Sequence, residues 1–347
     1  MLSVSGALCP KGGPERPGSI SVKIPGQMNP ATPPSPSALH GWRAGLLWFP
    51  DPQQPQLRHE ADGLLVTRTD ADGVVRIAAL GPWSELAGQW PGLAITHWPG
   101  LCLAPGFVDL HVHYPQTDVI ASPAPGLLPW LERYTFVHEQ RFGDGAYARE
   151  VADFFLQELL RNGVTSALCF ATAHPESVHA FMQAAQSLGL RMVAGKVLQD
   201  RHSPDGLRDT DTALSLRQSE DLIARWHGQD RLGYALTPRF APTSSAEQLH
   251  GAGELAQQYP DVWIQSHLAE NADEIRWVRE LFPQARSYLD VYERAGLLQL
   301  DDLAPREGGE GVVDGAGRER ARRRLGEPGG HAPAGGVGVG DVGRGLR

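Results

Sequence analysis

The segment from Ala104 to His113, APGFVDLHVH, constrains the fold more than any other part of the chain. A Pro-Gly turn precedes an apolar run typical of a buried β-strand, and the run ends in two histidines one residue apart. Because side chains alternate between the two faces of a strand, His111 and His113 lie on the same face. Two imidazoles on one face at a strand end form a candidate metal site, and zinc favours such nitrogen ligands.

From Leu103 onward, strand patterns alternate with amphipathic helical patterns, which indicates a parallel α/β architecture. One helical face is predicted from Val178, Phe181, Met182 and Ala185, which recur at helical spacing. The repeated β-α order, with candidate functional side chains at strand ends, favours a TIM-type (β/α) barrel. Only about five of the eight units of such a barrel are recognisable. The predicted strands cover residues 105–113, 163–170, 191–198, 232–238 and 262–268.

The domain organisation follows from changes in composition along the chain. Residues 38–102 alternate short strand patterns with turns, including a hairpin turn at Asp70–Gly73, which predicts a small β-module. Residues 103–300 form the partial barrel. Residues 1–37 are rich in Gly, Pro and Ser and are predicted to be a disordered leader, with Met28 as an alternative start to Met1.

The last segment, residues 301–347, is rich in Gly and Arg and has no aromatic residue. Such a segment cannot bury enough apolar surface to offset its ordering entropy, so a disordered tail is predicted. A natural basic tail and a frameshifted reading of a GC-rich gene both explain this texture, and the Gly/Arg/Ala bias favours the frameshift.

The composition excludes several functional classes. The chain has 347 residues, 41% of them hydrophobic and 20% charged, with a net charge of −9, which is typical of a cytoplasmic globular enzyme and argues against a nucleic-acid partner. No apolar run approaches the roughly 20 residues of a membrane span. Three cysteines are too few for a disulfide framework, and Cys102 and Cys169 are predicted to be buried in strands.

A second anchor lies at Gln265–Asn271, where an apolar strand pattern delivers His267 to its end and Glu270 follows three residues later. Alone, this pattern is a weak signal, but with His111 and His113 it supplies three imidazoles for one zinc ion. Zinc with an open coordination position lowers the pKa of its bound water towards neutrality. A carboxylate beside it can move the proton, which makes Glu270 the candidate catalytic residue.

Several strings resemble the zinc and substrate motifs of the guanine deaminases, a family of the amidohydrolase superfamily. The resemblance covers about residues 38–298. The strings are HVHYPQT (111–117), WLERYTF (130–136), GKV (195–197), DR (200–201), TPRFAPT (237–243), SHLAEN (266–271) and YLDVY (288–292).

The resemblance implies hydrolytic deamination of guanine to xanthine and ammonia, by a homodimer that holds one zinc ion per chain. The zinc ligands would be His111, His113 and His267. Glu270 would be the proton shuttle, and both it and His267 would touch the substrate. The resemblance further implies that Gln116 hydrogen-bonds the purine edge and that Arg239 reaches the oxo or ring-nitrogen edge. Phe240 would stack on the base.

The sequence departs from the family pattern beyond Leu298. The family has a sixth strand with another histidine and an eighth strand with an aspartate that completes the zinc site, and neither is clear here. His331 and Asp341 in the tail are weak candidate replacements. An open sheet also exposes an unpaired edge. We therefore expect the chain as written to be inactive or poorly folded, while its intact gene product deaminates guanine.

Other interpretations stay open. A related amidohydrolase could act on a triazine, pterin or cytosine, although Gln116 with Arg239-Phe240 favours guanine. A non-catalytic fragment that binds a partner or a polyanion through its basic tail is a further interpretation. His138-Glu139 lacks the second histidine of a metalloprotease helix and is predicted to be a surface pair. Lys196 is disfavoured as a carboxylated, metal-bridging lysine, which favours a single zinc.

Overall fold

A computed structural model describes residues 39–51, 56–71 and 73–298. The chain divides into two compact units between Pro105 and Gly106, and each is described by itself. The predicted leader (1–37) and tail (301–347), with the candidate ligands His331 and Asp341, lie outside the described residues.

The first unit is a four-stranded sheet with the order β3-β2-β1-β4. The predicted hairpin is present, since Asp70 N donates to Val74 O at 2.9 Å and β2 pairs antiparallel with β3. Strand β4 pairs parallel with β1 at an edge of this sheet. The strands are β1 (Leu39–Trp48), β2 (Arg58–Thr69), β3 (Val75–Pro82) and β4 (Ile95–Leu103), with the short helix α1 (Trp83–Leu86) and the 3-10 turn Ala87–Gln89 after β3.

The cysteine prediction is half right. Cys169 is fully buried in a central strand of the second unit, as predicted. Cys102 is exposed on the edge strand β4, where no residue is buried. Alternation along a strand places a residue on a face, but only the tertiary structure says whether that face is covered.

The second unit contains a parallel sheet with the order β10-β9-β7-β6-β5, and β8 also pairs with β9. All five predicted strand positions are occupied, in chain order. The strands are β5 (Phe107–His113), β6 (Val164–Phe170), β7 (Arg191–Gly195), β8 (Val197–Leu198), β9 (Gly233–Pro238) and β10 (Trp263–Ile264).

The strand predicted over residues 262–268 is too long. Only Trp263 and Ile264 pair with β9 as a ladder. The chain then runs along the end of β9, held by isolated backbone hydrogen bonds. Gln265 N donates to Leu236 O at 3.0 Å, and His267 N donates to Arg239 O at 3.1 Å. The polar side chains at positions 265–267 hydrogen-bond to neighbouring backbone oxygens, and the regular strand ladder does not continue there.

Helices follow the strands as the α/β prediction requires, and side chains cap five of the six main ones. Val178, Phe181, Met182 and Ala185 are all buried, which confirms the predicted helical face. The helices are α4 (Gly145–Arg161), α5 (Pro175–Ser187), α6 (Thr212–Trp226), α7 (Ala246–Gln258), α8 (Ala272–Leu281) and α9 (Tyr288–Arg294). Of the helices in the described ranges, none combines the length and apolar character needed to cross a bilayer.

The connection between β5 and α4 is a chain of short helical turns rather than one helix. A π-helix lies in its middle, and such segments often mark functional sites. The turns are the 3-10 segment Tyr114–Val119, α2 (Leu127–Trp130), the π-helix Leu131–Thr135, α3 (Phe136–Glu139) and the 3-10 segment Gln140–Gly143. A further 3-10 turn, Ala241–Thr243, follows β9.

The parallel sheet ends at β5 on one side. Among the described residues β5 pairs only with β6. Phe107 and Val108 on β5 are 66% and 56% exposed, whereas the central strand β9 is buried throughout. At the other end of the sheet, β10 pairs only with β9 among the described residues, so the open edge predicted beside the fifth strand is present there.

Candidate metal and substrate site

Three histidines meet at the carboxyl ends of the parallel strands. His111 and His113 leave β5 on the same face, as their spacing predicts. His113 Nε2 lies 3.3 Å from His111 Nε2 and 3.0 Å from His267 Nε2. All three candidate ligand atoms lie within 4.8 Å of one another, although 154 residues separate His113 from His267.

This donor set fits a tetrahedral metal ion. Ligand atoms bound at 2.0–2.1 Å around tetrahedral zinc lie roughly 3.3 Å apart, close to the two spacings from His113 Nε2 to His111 and to His267. Burial lowers the pKa of His267 to about 3 and the pKa of His113 well below its usual range, and burial also lowers the pKa of His111. The imidazoles are therefore neutral near pH 7, the form that binds metal.

The backbone of Arg239 orients His267. His267 Nδ1 lies 2.6 Å from the Arg239 carbonyl oxygen, which can only accept. Nδ1 therefore carries the hydrogen and Nε2 is left with its lone pair facing His113.

Helix α9 supports the same segment from behind. The Tyr292 hydroxyl donates to the His267 carbonyl at 2.8 Å and accepts from Ala241 N at 2.9 Å. The Tyr288 hydroxyl donates to Glu274 at 2.7 Å, and Glu274 in turn accepts from the Glu270 backbone N at 2.9 Å. The string YLDVY thus places two hydroxyls that hold the backbone of the candidate ligand and of the candidate catalytic residue.

A cavity of about 220 Å³ adjoins the three histidines. Pockets for drug-sized ligands are typically about 300–1,000 Å³, so this one suits a small molecule. Beside the three histidines, its lining combines aromatic and aliphatic side chains with three other polar side chains. The lining residues are His111, His113, Gln116, Leu127, Trp130, Leu131, Arg239, Phe240, His267 and Glu270.

Among the described residues, the structure thus places at this cavity all seven residues predicted for the site. Phe240 is 4% exposed and packs with Leu131, Phe136 and Leu207, so it is at once a core residue and part of the cavity wall. Gln116 Nε2 lies 3.1 Å from His113 Nδ1.

Glu139 corrects the prediction of a surface His138-Glu139 pair. Glu139 is 1% exposed, and its carboxylate accepts from Arg239 Nη1 at 2.6 Å and Nη2 at 3.1 Å. The reason is its place on α3, one turn after the buried Phe136, which carries both side chains inward. This spacing, next to the string WLERYTF, is the signal that could have identified it.

Glu270 lines the cavity at the turn after His267. Desolvation raises its pKa, the charge of Glu274 adds to this rise, and Arg239 opposes it. A raised pKa suits a carboxyl group that takes up and returns a proton. Ala269, between the two, has a φ of 58°, a left-handed conformation that non-glycine residues adopt infrequently.

Lys196 is engaged elsewhere. Its Nζ donates to Asp209 at 2.6 Å and to Ser215 at 2.8 Å, and the Lys196 side chain is fully buried. It does not belong to the histidine group, and this arrangement agrees with the preference for one metal ion.

Residues 102–304 match the model of the amidohydrolase family. The chain belongs to the amidohydrolase family. This confirms the predicted ancestry and the α/β fold class, with the β-module preceding the parallel sheet.

The chain is also similar to guanine deaminases. The chain is 47% identical over 242 residues to the guanine deaminase of Escherichia coli K12, which covers 70% of this chain and 54% of that protein. It is 42% identical to a probable guanine deaminase of Deinococcus radiodurans, over 64% of this chain and 51% of that one. The chain thus spans about half the length of these curated relatives.

Solved structures point the same way. The E. coli guanine deaminase superposes with a TM-score of 0.68 at 43% identity, covering 75% of this chain and 60% of that chain. A Clostridium acetobutylicum guanine deaminase with bound guanine gives 0.68 at 30% identity, with the same coverages. A triazine hydrolase, at 20% identity and a TM-score of 0.61, shares the fold.

Proposed function

We propose that this chain carries the site of a metal-dependent guanine deaminase, the class of enzyme that converts guanine to xanthine and ammonia in purine catabolism in the cytoplasm. The observation that carries the proposal is the convergence of three imidazole nitrogens beside a small cavity lined by Gln116, Arg239 and Phe240. The similarity to guanine deaminases, one of them with guanine bound, supports the choice of substrate.

His111, His113 and His267 would hold one zinc ion, which when bound supplies a water that ionises near neutral pH. The chain's own contribution begins with geometry. The Arg239 carbonyl and the Tyr292 hydroxyl hold His267 in place, so that little reorganisation is needed when a ligand enters.

Different side chains of the cavity contact different parts of the base. Arg239 donates to the oxo edge, and the amide of Gln116 can both donate and accept along the ring edge. Phe240 covers a flat face, as an aromatic side chain does for a planar ligand. Glu270, whose pKa is raised, holds and returns the proton beside the ring nitrogen next to the amino-bearing carbon.

The domain assignment is part of the same proposal. We assign residues 38–102 to the β-module and 103–300 to the partial barrel, flanked by a leader (1–37) and a tail (301–347). We further propose a homodimer, with no nucleic-acid or membrane partner.

The first test measures zinc. The full chain is purified with zinc, and its metal content is compared with that of the double variant H111A/H113A and of the control H250A. His250 is exposed and lies away from the cavity. We expect one zinc per chain in the wild type and in H250A, and loss of zinc in the double variant. Equal zinc content in all three proteins would refute the assignment of the ligands.

The second test measures the substrate. Because the chain as written is predicted to be inactive, binding is the primary readout and turnover the second. Calorimetry with guanine, a triazine, a pterin and cytosine should give the tightest binding for guanine. A different preferred heterocycle would replace guanine in the proposal. Guanine turnover comparable with that of an intact relative would overturn the predicted inactivity.

A further inference from the structure

We propose that Glu139 is a positioning and specificity-determining residue, which cancels the charge of Arg239 so that the cavity accepts an uncharged oxo-heterocycle and disfavours an anionic one. This inference rests on the proposed function of the same site and names the charge state that the site selects.

The contact between the two side chains is bidentate and dry. Arg239 Nη1 and Nη2 donate to the two carboxylate oxygens of Glu139 at 2.6 and 3.1 Å. The two residues are 3% and 1% exposed. Paired N–H···O bonds of this kind fix both the position and the plane of a guanidinium group.

The same carboxylate also reaches the second polar group of the cavity. Gln116 Nε2 donates to Glu139 Oε1 at 3.4 Å. Gln116 and Arg239, two of the three polar non-histidine residues that line the cavity, therefore share one anchor that does not itself line it. Glu139 acts on a ligand through these two side chains, which makes it a positioning residue.

The charge balance follows from this geometry. A buried arginine cannot lose its proton, so without a partner it would draw an anionic ligand into the cavity. Paired with Glu139, the two charges sum to zero. Arginine carries five N–H donors, and the pair uses one on each terminal nitrogen. The remaining donors still serve a neutral carbonyl oxygen, so the pair keeps the hydrogen bond and removes the attraction for anions.

This selection also distinguishes the proposed substrate from its product. Replacing the exocyclic amino group of guanine by an oxo group gives a dioxopurine with a more acidic ring N–H, part of which ionises near neutral pH. A cavity without net charge at Arg239 binds this anion less well than the neutral substrate. Product release is thereby favoured.

The test compares two ligands at one pH, which keeps the protonation of the protein the same. At a slightly alkaline pH, xanthine is largely an anion whereas hypoxanthine is largely neutral. Calorimetry measures their affinities for the zinc-loaded full chain and for E139Q. We expect E139Q to bind xanthine at least about tenfold more tightly than the wild type does, because an unpaired buried cation attracts it. The affinity for hypoxanthine should change by less than about threefold, because a neutral ligand is not attracted by the charge of the unpaired arginine. Bound zinc acts equally in both proteins.

The control is D209N, which makes the same chemical change in the buried pair with Lys196, away from the cavity. It should leave the ratio of xanthine to hypoxanthine affinity unchanged. The double variant E139Q/R239Q, with no charge at either position, should lose the gain for xanthine. A merely structural role for Glu139 predicts instead that both ligands weaken together in E139Q, which would overturn the inference.

Should E139Q fail to fold, R239Q and the double variant decide the matter. R239Q keeps an unpaired carboxylate and should favour hypoxanthine over xanthine more strongly than the double variant does, and equal ratios would refute the inference. Absence of guanine binding by the wild type would overturn the proposed function as well. Guanine binding with an unchanged ratio in E139Q would overturn this inference alone.

Discussion

His267 Nδ1 and the carbonyl oxygen of Arg239 lie 2.6 Å apart. One residue therefore orients a candidate metal ligand with its backbone and lines the substrate cavity with its side chain. Through Glu139 and Gln116 the same arginine is connected to His113, the neighbour of His267. The metal site and the polar edge of the cavity are parts of one hydrogen-bond network, so a change in one is expected to affect the other.

Removing the Tyr292 hydroxyl should weaken this hydrogen-bond network at His267. In Y292F, Ala241 N and the His267 carbonyl lose their partner, which we expect to lower the free energy of unfolding by about 1–3 kcal/mol. Zinc affinity should fall by about tenfold or more, as for other residues that support a metal ligand. Denaturant unfolding and zinc titration measure the two effects.

The control for Y292F is Y259F, whose hydroxyl bonds to Glu220 and Gln258 away from the site. It should leave zinc affinity unchanged. Equal zinc affinity in Y292F and in the wild type would remove the role assigned to Tyr292.

Asp290 should make stability depend on pH at the acid end. Arg286, then Arg294, hold the pKa of Asp290 below its usual value, with Arg286 Nε at 2.7 Å and Arg294 Nε at 2.6 Å from the carboxylate. A depressed pKa contributes stability that is present above the unfolded value of about 3.9 and is lost as pH falls through the folded value. The difference in melting temperature between the wild type and D290N should therefore shrink as pH falls below about 4.

Asp273 supplies the comparison for this pH series. It pairs with Arg276 at an exposed position, where screening leaves little stabilisation. D273N should differ little from the wild type at any pH. A difference between the wild type and D290N that stays constant with pH would contradict the assignment to charge.

Gly195 should not tolerate a side chain. A Cβ at this position would lie 1.7 Å from the Ala235 backbone oxygen on the neighbouring strand β9, where neither backbone can move without breaking the sheet. We expect G195A to destabilise the protein by about 3 kcal/mol or more, at the upper end for overpacked cores. Gly88, with nothing within 4 Å of its Cβ position, is the control. Similar melting temperatures for G195A and G88A would show that β7 and β9 can separate.

The fold was largely readable from the sequence because its signals are local. Strand and helix periodicity predicted five strand positions of the second unit, and the buried face of α5 was predicted from four residues. Where the local pattern failed, sheet position decided the outcome. The last strand is only two residues long, and Cys102 lies exposed at an edge.

What the sequence alone determined is which groups can form the site. The spacing of His111 and His113 puts them on one strand face, and the strings around His267 and Glu270 carry the family resemblance. Only the tertiary structure decided how these groups are held. Arg239 and Glu139 are 100 residues apart, and Tyr292 is 51 residues from Ala241. A buried carboxylate or hydroxyl takes its role from the partner that folding brings to it, and no local pattern records that partner.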